Sequence, residues 1–231
     1  MILIVKTGTA HTVVDVELGD FDRWIGAGLG TAVDVCRVDA GERLPAASEP
    51  AGVVVTGSPA MVSDRAPWSE RTAEWLAVAV DAGTPVLGIC FGHQLLAHAL
   101  GGRVGPNPRG REIGTVAVRL DPRGVDDELL GGLPEEIRVH ATHVESVVEP
   151  PPGVTVLASS ELDPHQAFRV PGRPVWGVQF HPEFTAEVTR AYILRRRSTL
   201  EEEGVEVDAL LAAVEETPWG GVILRRFASV A

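Results

Sequence analysis

Short apolar runs that alternate with helix-like stretches are the feature that most constrains how this chain can fold. Each run has the length of one buried strand, and Pro67 gives one of the helices a sound first position. This order is typical of a three-layer, doubly wound α/β domain with a mostly parallel sheet flanked by helices. We predict strands at 2–6, 33–38, 53–56, 85–89, 115–120, 154–158, 167–170 and 175–180, and helices at 21–29, 67–82 and 91–100.

A cysteine stands between a predicted strand and a predicted helix. Cys90 directly follows an apolar run, and Gly88 and Gly92 on either side let the two backbones approach each other. At the start of a helix, unpaired N–H groups and the helix dipole favour a thiolate. The N–H of Phe91 would also hold an oxyanion formed beside the sulfur. Taken alone, Cys90 has the alternative interpretation of a small buried hydrophobe.

A histidine and a glutamate follow the last predicted strand. His181 and Glu183 are two residues apart, and in an extended segment they point to the same side, roughly 6 to 7 Å apart. Pro182 keeps His181 out of helical geometry. We expect Glu183 to orient the imidazole and His181 to exchange a proton with the Cys90 thiol. The alternative for the pair by itself is a solvated surface turn.

Three sequence motifs in this order resemble those of a known family. Residues 88–94 read Gly-Ile-Cys-Phe-Gly-His-Gln, residues 179–183 read Gln-Phe-His-Pro-Glu, and residues 52–59 read Gly-Val-Val-Val-Thr-Gly-Ser-Pro. They resemble the nucleophile, His-Glu and oxyanion-strand motifs of the class I (triad) glutamine amidotransferases, most closely the glutaminase domain of GMP synthase and its stand-alone relatives. The resemblance extends over residues 50–185 and implies a flavodoxin-like fold.

The resemblance implies a two-step acyl transfer. Cys90 would attack the side-chain amide of glutamine, release ammonia and form a γ-glutamyl thioester, which water activated by His181 would hydrolyse. Backbone N–H groups of Gly57 and Phe91 would hold the oxyanion in both steps. Gln94 matches the family position that helps to hold the glutamine substrate; by itself it is also an ordinary polar residue of a first helical turn.

The resemblance also implies a loop over the amino-acid end of glutamine, which usually reads Ser-His-x-Asp. Here Thr142-His-Val-Glu145 takes its place and departs from that pattern at two positions. Backbone groups of Thr142 and Val144 are expected to supply most of the contact, and Glu145 to affect selectivity. His140 and His143 suggest a metal site, but such a site needs three or four converging ligands. We therefore expect neither a metal nor a cofactor.

Length and cysteine content indicate a single enzyme domain spanning residues 1–231, with a C-terminal helical extension from about residue 185. Two cysteines, Cys36 and Cys90, argue against a disulfide scaffold and favour a reducing cytoplasm. The apolar start at residues 1–5 is too short for a membrane span. We expect no membrane association.

Charge argues against nucleic-acid binding. The formal net charge is −12 and Lys6 is the single lysine, whereas phosphate recognition needs a basic face. Arg195-Arg-Arg197 is followed by Glu201-Glu-Glu203, and we interpret these runs as a solvated helix with opposed charges. The C-terminal helices could cover the sheet, form a homodimer or dock a partner, and their apolar spacing favours packing on the core.

Three functions stay open from the sequence. The first is a glutaminase subunit that supplies ammonia to a synthetase partner. The second is a stand-alone hydrolase that uses the same triad on γ-glutamyl peptides or amides. The third is a non-catalytic binding module on the same fold, which is disfavoured because it has no need for a thiol, an imidazole and a carboxylate together.

Overall fold

A nine-stranded sheet forms the centre of the computed structural model, which describes residues 1–10 and 18–231. Its strand order is β2-β1-β3-β4-β11-β10-β9-β6-β7, and β5 pairs separately with β8. The strands are β1 Ile2–Lys6, β2 Val33–Arg37, β3 Gly52–Val55, β4 Val86–Ile89, β5 Arg103–Pro106, β6 Glu112–Leu120, β7 Glu136–His143, β8 Glu145–Glu149, β9 Thr155–Ser159, β10 Ala167–Arg169 and β11 Val175–Val178.

Helices cover the sheet, which confirms the doubly wound α/β prediction. Apolar clusters pack on each side of the sheet, one of them containing Ile4 and Trp176 and the other Val5 and Phe168. The helices are α1 Phe21–Leu29, α2 Pro67–Asp81, α3 Phe91–Ala99, α4 Ala186–Arg195, α5 Arg197–Glu202, α6 Val207–Ala212 and α7 Trp219–Val230.

The parallel part of the sheet brings two functional segments together. Strands β1, β3, β4 and β11 are buried along their whole length, as expected where helices cover both faces of a parallel sheet. β4 and β11 are parallel neighbours, with Ile89 opposite Val178. Cys90, directly after β4, and the His181 segment, after β11, therefore lie at the same carboxyl edge of the sheet. Ligands of open α/β sheets bind at this edge.

The antiparallel part contains strands that the sequence pattern did not reveal. β9, β10, β6 and β7 pair antiparallel, and β5, β7 and β8 were not predicted. In β7 the buried positions include His140 and His143, so polar residues replace the apolar alternation that marks a strand. The prediction of a loop at residues 142–145 is wrong, because these residues belong mostly to strands. His143 ends β7 and Glu145 begins β8, with Val144 between them.

The C-terminal helices pack on the body of the protein. Thr185 caps α4 by accepting a hydrogen bond from the N–H of Val188 at 3.2 Å. The α6 helix is short and ends at Ala212. In α7, Leu224 and Phe227 are fully buried in the core, and Leu224 lies against Gly28 of α1. The packing interpretation is confirmed for α7, whereas the single-domain assignment stays a prediction.

None of the helices in the described ranges is both long and apolar enough to cross a membrane.

Candidate active site

Cys90 sits in a strained turn between β4 and α3. Its φ of 52° and ψ of −103° are unfavourable for a residue with a side chain, and such backbone strain costs about 1–3 kcal/mol. The predicted close approach is confirmed: a Cβ added to Gly88 would lie 2.4 Å from the Gly92 carbonyl oxygen, and one added to Gly92 would lie 2.4 Å from that of Val55. Only glycines fit at these two positions, so the turn holds the thiol at the helix start.

His181 is held against Glu183 by a buried hydrogen bond. The Nδ1 atom of His181 lies 2.8 Å from Oε1 of Glu183, and the two residues are 3% and 7% exposed. The Phe184 ring stacks on the imidazole with centroids 4.0 Å apart, and the backbone N–H of His181 donates to the carbonyl of His140 at 2.8 Å. The ring orientation is thus fixed, with Nδ1 donating to the carboxylate and Nε2 turned away from it.

The thiol and the imidazole form an ionised pair. Burial favours neutral His181, but the charges of Glu183 and of the Cys90 thiolate outweigh it and raise the pKa of His181 to about 10. Burial likewise disfavours the thiolate, yet the charges of His181 and His143 hold the pKa of Cys90 below its usual value. The Nε2 atom of His181 makes no hydrogen bond of standard geometry with a described residue. Electrostatic attraction is therefore the main interaction between the His181 ring and the Cys90 sulfur.

A second buried histidine strengthens the positive field at the sulfur. His143 Nδ1 lies 2.9 Å from the carbonyl oxygen of Glu145, and its Nε2 lies 2.9 Å from the Glu112 carboxylate. Both neighbours accept hydrogen bonds, so both ring nitrogens must carry protons. Burial lowers the pKa of His143, but Glu112 raises it above the usual value overall. His143 is therefore a cation and not a metal ligand.

Two adjoining cavities meet at Cys90. The histidine-side cavity has a volume of about 230 Å³ and is lined by His181, Phe21 and Tyr192 together with Thr9 and Ala10. The glutamine-side cavity, of about 70 Å³, is lined by Phe91 and by the residues predicted to bind substrate, namely Gln94, Thr142, Val144 and Glu145. Ser58, Pro59, Cys90, Thr142 and Arg196 line both cavities.

The predicted substrate-binding residues form one connected group. Gln94 donates from Nε2 to the Glu145 carbonyl at 2.8 Å and to Oε1 of Gln179 at 2.9 Å. The buried Glu145 carboxylate accepts from the N–H of Ser63 at 3.3 Å. The carbonyl of Thr142 faces the thiol, with Sγ 3.9 Å from the oxygen. These contacts fix the walls of the glutamine-side cavity.

Of the two predicted oxyanion donors, Phe91 lines a cavity and Gly57 lines neither. Gly57 lies behind the imidazole, where an added Cβ would be 2.8 Å from Cε1 of His181. Its carbonyl accepts hydrogen bonds from the Thr7 and Thr56 hydroxyls at 3.1 and 2.9 Å. Because the C=O and N–H of one trans peptide point in opposite directions, the N–H of Ser58 points away from these hydroxyls.

The match to known proteins decides the family. The model of the family described as glutamine amidotransferase class-I matches residues 25–199, which is well over half of the chain. The chain belongs to this family.

Relatives of this glutamine amidotransferase include GMP synthases. The glutamine-hydrolyzing GMP synthase of Aeropyrum pernix is 44% identical over 143 residues, which are 62% of this chain and 25% of that protein. A subunit of the glutamine-hydrolyzing GMP synthase of Pyrococcus abyssi is 36% identical over 137 residues, covering 59% of this chain and 68% of the relative. This chain therefore matches only about a quarter of the length of the first of these relatives.

Solved structures agree on the fold. A glutamine amidotransferase from Thermotoga maritima superposes with a TM-score of 0.79 at 23% identity, covering 100% of this chain and 97% of that one. One from Methylobacillus flagellatus gives a TM-score of 0.74 at 24% identity, with 99% and 94% covered. At these identities the likeness concerns the fold alone.

Arg196 is the site residue that the sequence interpretation missed. The arginine run was interpreted as a solvated helix face, and Arg197 does pair with Glu201 at 3.2 Å on the surface. Arg196, however, ends α4 and turns inward to line both cavities. Its guanidinium lies over the Tyr192 ring, with Cζ 5.0 Å from the centroid. The spacing of Tyr192 and Arg196, one helical turn apart, was the available signal.

Metal binding has no support in the described part of the chain. Within residues 1–10 and 18–231, no group of three or more His, Cys, Asp and Glu side chains is arranged to hold an ion. His140, the other histidine considered, is buried, and this burial together with the nearby charge of His181 lowers its pKa to about 4.

Proposed function

We propose that this glutamine amidotransferase hydrolyses the side-chain amide of glutamine through a γ-glutamyl thioester on Cys90. The observation that carries the proposal is the buried, ionised pair of Cys90 and His181, backed by Glu183, at the junction of two cavities. Membership in the class-I family supports the same substrate chemistry.

The acylation step uses charges already present in the resting site. The Cys90 thiolate attacks the amide carbon, forming a C–S bond and a tetrahedral oxyanion. When the C–N bond breaks, His181 gives its Nε2 proton to the departing nitrogen, and Glu183 stabilises the ring throughout. Water then adds to the thioester carbon while neutral His181 takes its proton, and breakage of the C–S bond releases glutamate and restores the thiolate.

Backbone donors at the helix start and at the β3 turn would hold the oxyanion. The N–H of Phe91 belongs to the first turn of α3, where N–H groups lack partners within the helix. On the other side we assign the donor to the Gly57–Ser58 turn, with the N–H of Ser58 better placed than that of Gly57, because Ser58 lines both cavities. Each such donor is typically worth about 3 kcal/mol in the transition state.

The glutamyl part of the substrate would occupy the glutamine-side cavity. Gln94, Thr142, Val144 and Glu145 line it, and their positions are fixed by the hydrogen bonds of Gln94 and His143 to the Glu145 carbonyl. Polar groups held this firmly orient an amide substrate without reorganisation at the moment of reaction.

Transfer of the ammonia to a synthetase partner is the next part of the proposal. It is supported by the relative from Pyrococcus abyssi, which is named as one subunit of a glutamine-hydrolysing GMP synthase. In such an arrangement the partner would consume the ammonia that Cys90 chemistry releases.

A hydrolase of substituted γ-glutamyl amides is the second candidate. It is favoured by the histidine-side cavity, which at about 230 Å³ is far larger than ammonia requires. The non-catalytic module is disfavoured, because an ionised thiol in a strained turn is of no use to a binding protein.

The test is hydrolysis of glutamine by the wild-type chain and by Cys90→Ala, with mass spectrometry of the trapped acyl-enzyme. The proposal expects glutamate release, a γ-glutamyl adduct on the Cys90 peptide, and loss of both in the variant. Unchanged turnover in Cys90→Ala would overturn it. A rate that rises when a synthetase partner is added supports ammonia transfer, whereas steady cleavage of γ-glutamyl peptides by the chain alone supports the second candidate.

A further inference from the structure

The two cavities lie on chemically different sides of the reacting sulfur. During acylation, the nitrogen that departs must receive its proton from His181, so any substituent on that nitrogen lies on the His181 side. His181 lines only the histidine-side cavity, whereas Gln94, Val144 and Glu145 line only the glutamine-side cavity. The acyl chain and the leaving amine are thereby assigned to separate spaces. This assignment rests on the thioester chemistry proposed above and not on ammonia transfer.

The size of the histidine-side cavity exceeds what ammonia needs. A site for one water-sized molecule takes about 10–15 Å³ by this measure of volume. The cavity has about 230 Å³, enough for several non-hydrogen atoms beyond the nitrogen. Its walls combine the rings of Phe21 and Tyr192 with small residues such as Ala10, so part of the occupant must be compatible with apolar contact.

Arg196 supplies the specific polar group. Its Nη1 atom is buried and has no hydrogen-bond partner among the described residues, and no described carboxylate forms an ion pair with it. Burial is the main cause that lowers its pKa, the charge of Arg111 acts in the same direction, and the opposing effects of Tyr192 and Cys90 do not outweigh them. A partly buried guanidinium with a free N–H group binds a carboxylate through charge-assisted hydrogen bonds.

The stacking contact places this cation on the leaving-group side. Arg196 touches both cavities, but its guanidinium lies over the ring of Tyr192, which lines the histidine-side cavity only. Arg111, the other arginine of the glutamine-side cavity, is already neutralised by two hydrogen bonds of 2.9 Å to Glu203. Of these two arginines, Arg196 is the one with no hydrogen-bonded carboxylate among the described residues, and it lies beside the space where the leaving amine departs.

We propose that the substrates of this site include γ-glutamyl amides whose leaving amine carries a carboxylate, that is γ-glutamyl amino acids, and that Arg196 binds that carboxylate. The reaction forms the C–S bond at Cys90, breaks the C–N bond and passes the His181 proton to the amino acid that departs. Arg196 is then a specificity residue for the leaving group.

The experiment compares three substrates that share the glutamyl part: glutamine, γ-glutamylglycine and γ-glutamylglycinamide. The last two differ at one position, where a neutral amide of similar shape replaces the carboxylate of the leaving group. For the wild-type chain we expect kcat/KM for γ-glutamylglycine to exceed that for γ-glutamylglycinamide by about 10-fold or more, as for a charge-assisted hydrogen bond. Arg196→Gln is expected to remove this preference, which brings the two kcat/KM values to within about 2-fold of each other.

The matched control is Arg197→Gln, since Arg197 pairs with Glu201 and Asp208 on the surface and lines neither cavity. Arg196→Lys, which keeps the charge, should retain part of the preference. Equal loss for all three substrates in Arg196→Gln would show that Arg196 holds the glutamyl carboxylate, and the inference would be overturned. Equal wild-type rates for the glycine and glycinamide substrates would also overturn it. If no substrate forms an adduct on Cys90, the proposed function itself fails.

Discussion

The sulfur of Cys90 becomes a nucleophile because several charges act on it at once. Burial alone would keep the thiol protonated, and the two imidazolium rings of His181 and His143 reverse that preference. Each ring is itself kept charged by a buried carboxylate, Glu183 in one case and Glu112 in the other. The reactivity of the Cys90 sulfur therefore depends on two glutamates that act on it through the histidines.

Replacement of Glu183 tests whether the reactivity of Cys90 depends on the carboxylate behind the imidazole. Glu183→Gln keeps the shape of the side chain but removes its charge, so the pKa of His181 should fall from about 10 towards the lower value that burial favours. We expect kcat for glutamine hydrolysis to fall by roughly 10²–10⁴-fold, the usual contribution of an acid–base group. Steady-state kinetics against pH measures it. Glu70→Gln, which removes a surface glutamate paired with His98, is the control and should have little effect.

The elbow between β4 and α3 shows how closely the elements must pack to hold the nucleophile. Gly88, Gly92 and the Val55 carbonyl lie so close together that a single methyl group would collide with backbone atoms. Backbone cannot rotate aside as a side chain can. The strained conformation of Cys90 is therefore kept by the surrounding strands, not by its own preference.

We predict that Gly92→Ala destabilises the protein, because the added Cβ would meet the Val55 carbonyl oxygen at 2.4 Å. Overpacking of this kind typically lowers the free energy of unfolding by about 1–3 kcal/mol, with loss of Cys90 reactivity as the elbow shifts. Denaturant unfolding measures the first effect. Gly105→Ala is the matched control, since its Cβ would have no heavy atom within 4 Å. Equal stability of the two variants would contradict the packing argument.

Sequence patterns predicted those elements whose physics is local. The apolar runs of β1, β3, β4 and β11 and the glycines around Cys90 follow rules of burial and backbone space, and the structure confirms them. β7 was missed because its buried His140 and His143 pair with groups far away in the chain. A buried histidine is therefore indistinguishable in sequence from a solvated one.

In the active site, too, only contacts between residues close together in sequence could be predicted. The hydrogen bond between His181 and Glu183 could be predicted because the two residues are neighbours in an extended segment. Arg196 was harder to predict, because its neighbours in sequence are charged residues on the surface and its spacing from Tyr192 was the single signal for an inward position. The carboxylate partner of His143 was likewise hidden, since Glu112 comes from another strand.

On the scale of the whole molecule, the last helix closes the core on the side of the active site. Phe227 of α7 is fully buried and meets the Trp176 ring edge to face at 6.5 Å, and Trp176 belongs to the strand that leads to His181. Gly220, at the start of α7, lies against Pro182, where an added Cβ would be 2.1 Å from the carbonyl oxygen. The C-terminal segment thus supports the strand and the turn that carry the imidazole.

Removal of the Phe227 ring tests how much α7 contributes to the stability of the protein. Phe227→Ala should lower the free energy of unfolding by about 3–5 kcal/mol, the usual cost of removing a buried phenylalanine ring. Denaturant unfolding followed by tryptophan fluorescence measures it. Val78→Ala in α2 is the control, since Val78 is 58% exposed and should change stability by less than about 0.5 kcal/mol. A small effect of Phe227→Ala would mean that α7 is only loosely attached.

The most direct test of the central claim, that His181 keeps Cys90 ionised, is the pH dependence of alkylation by iodoacetamide, with the two cysteine peptides separated by mass spectrometry. Cys36 is an internal control, because burial and Glu42 raise its pKa. The pKa of Cys90 is lowered, so Cys90 should begin to react at a lower pH than an ordinary free thiol, whose pKa is about 8.5. In His181→Gln its profile should shift to higher pH, since burial then acts unopposed by the ring. A Cys90 profile that matches an ordinary thiol, or one that His181→Gln leaves unchanged, would contradict the account.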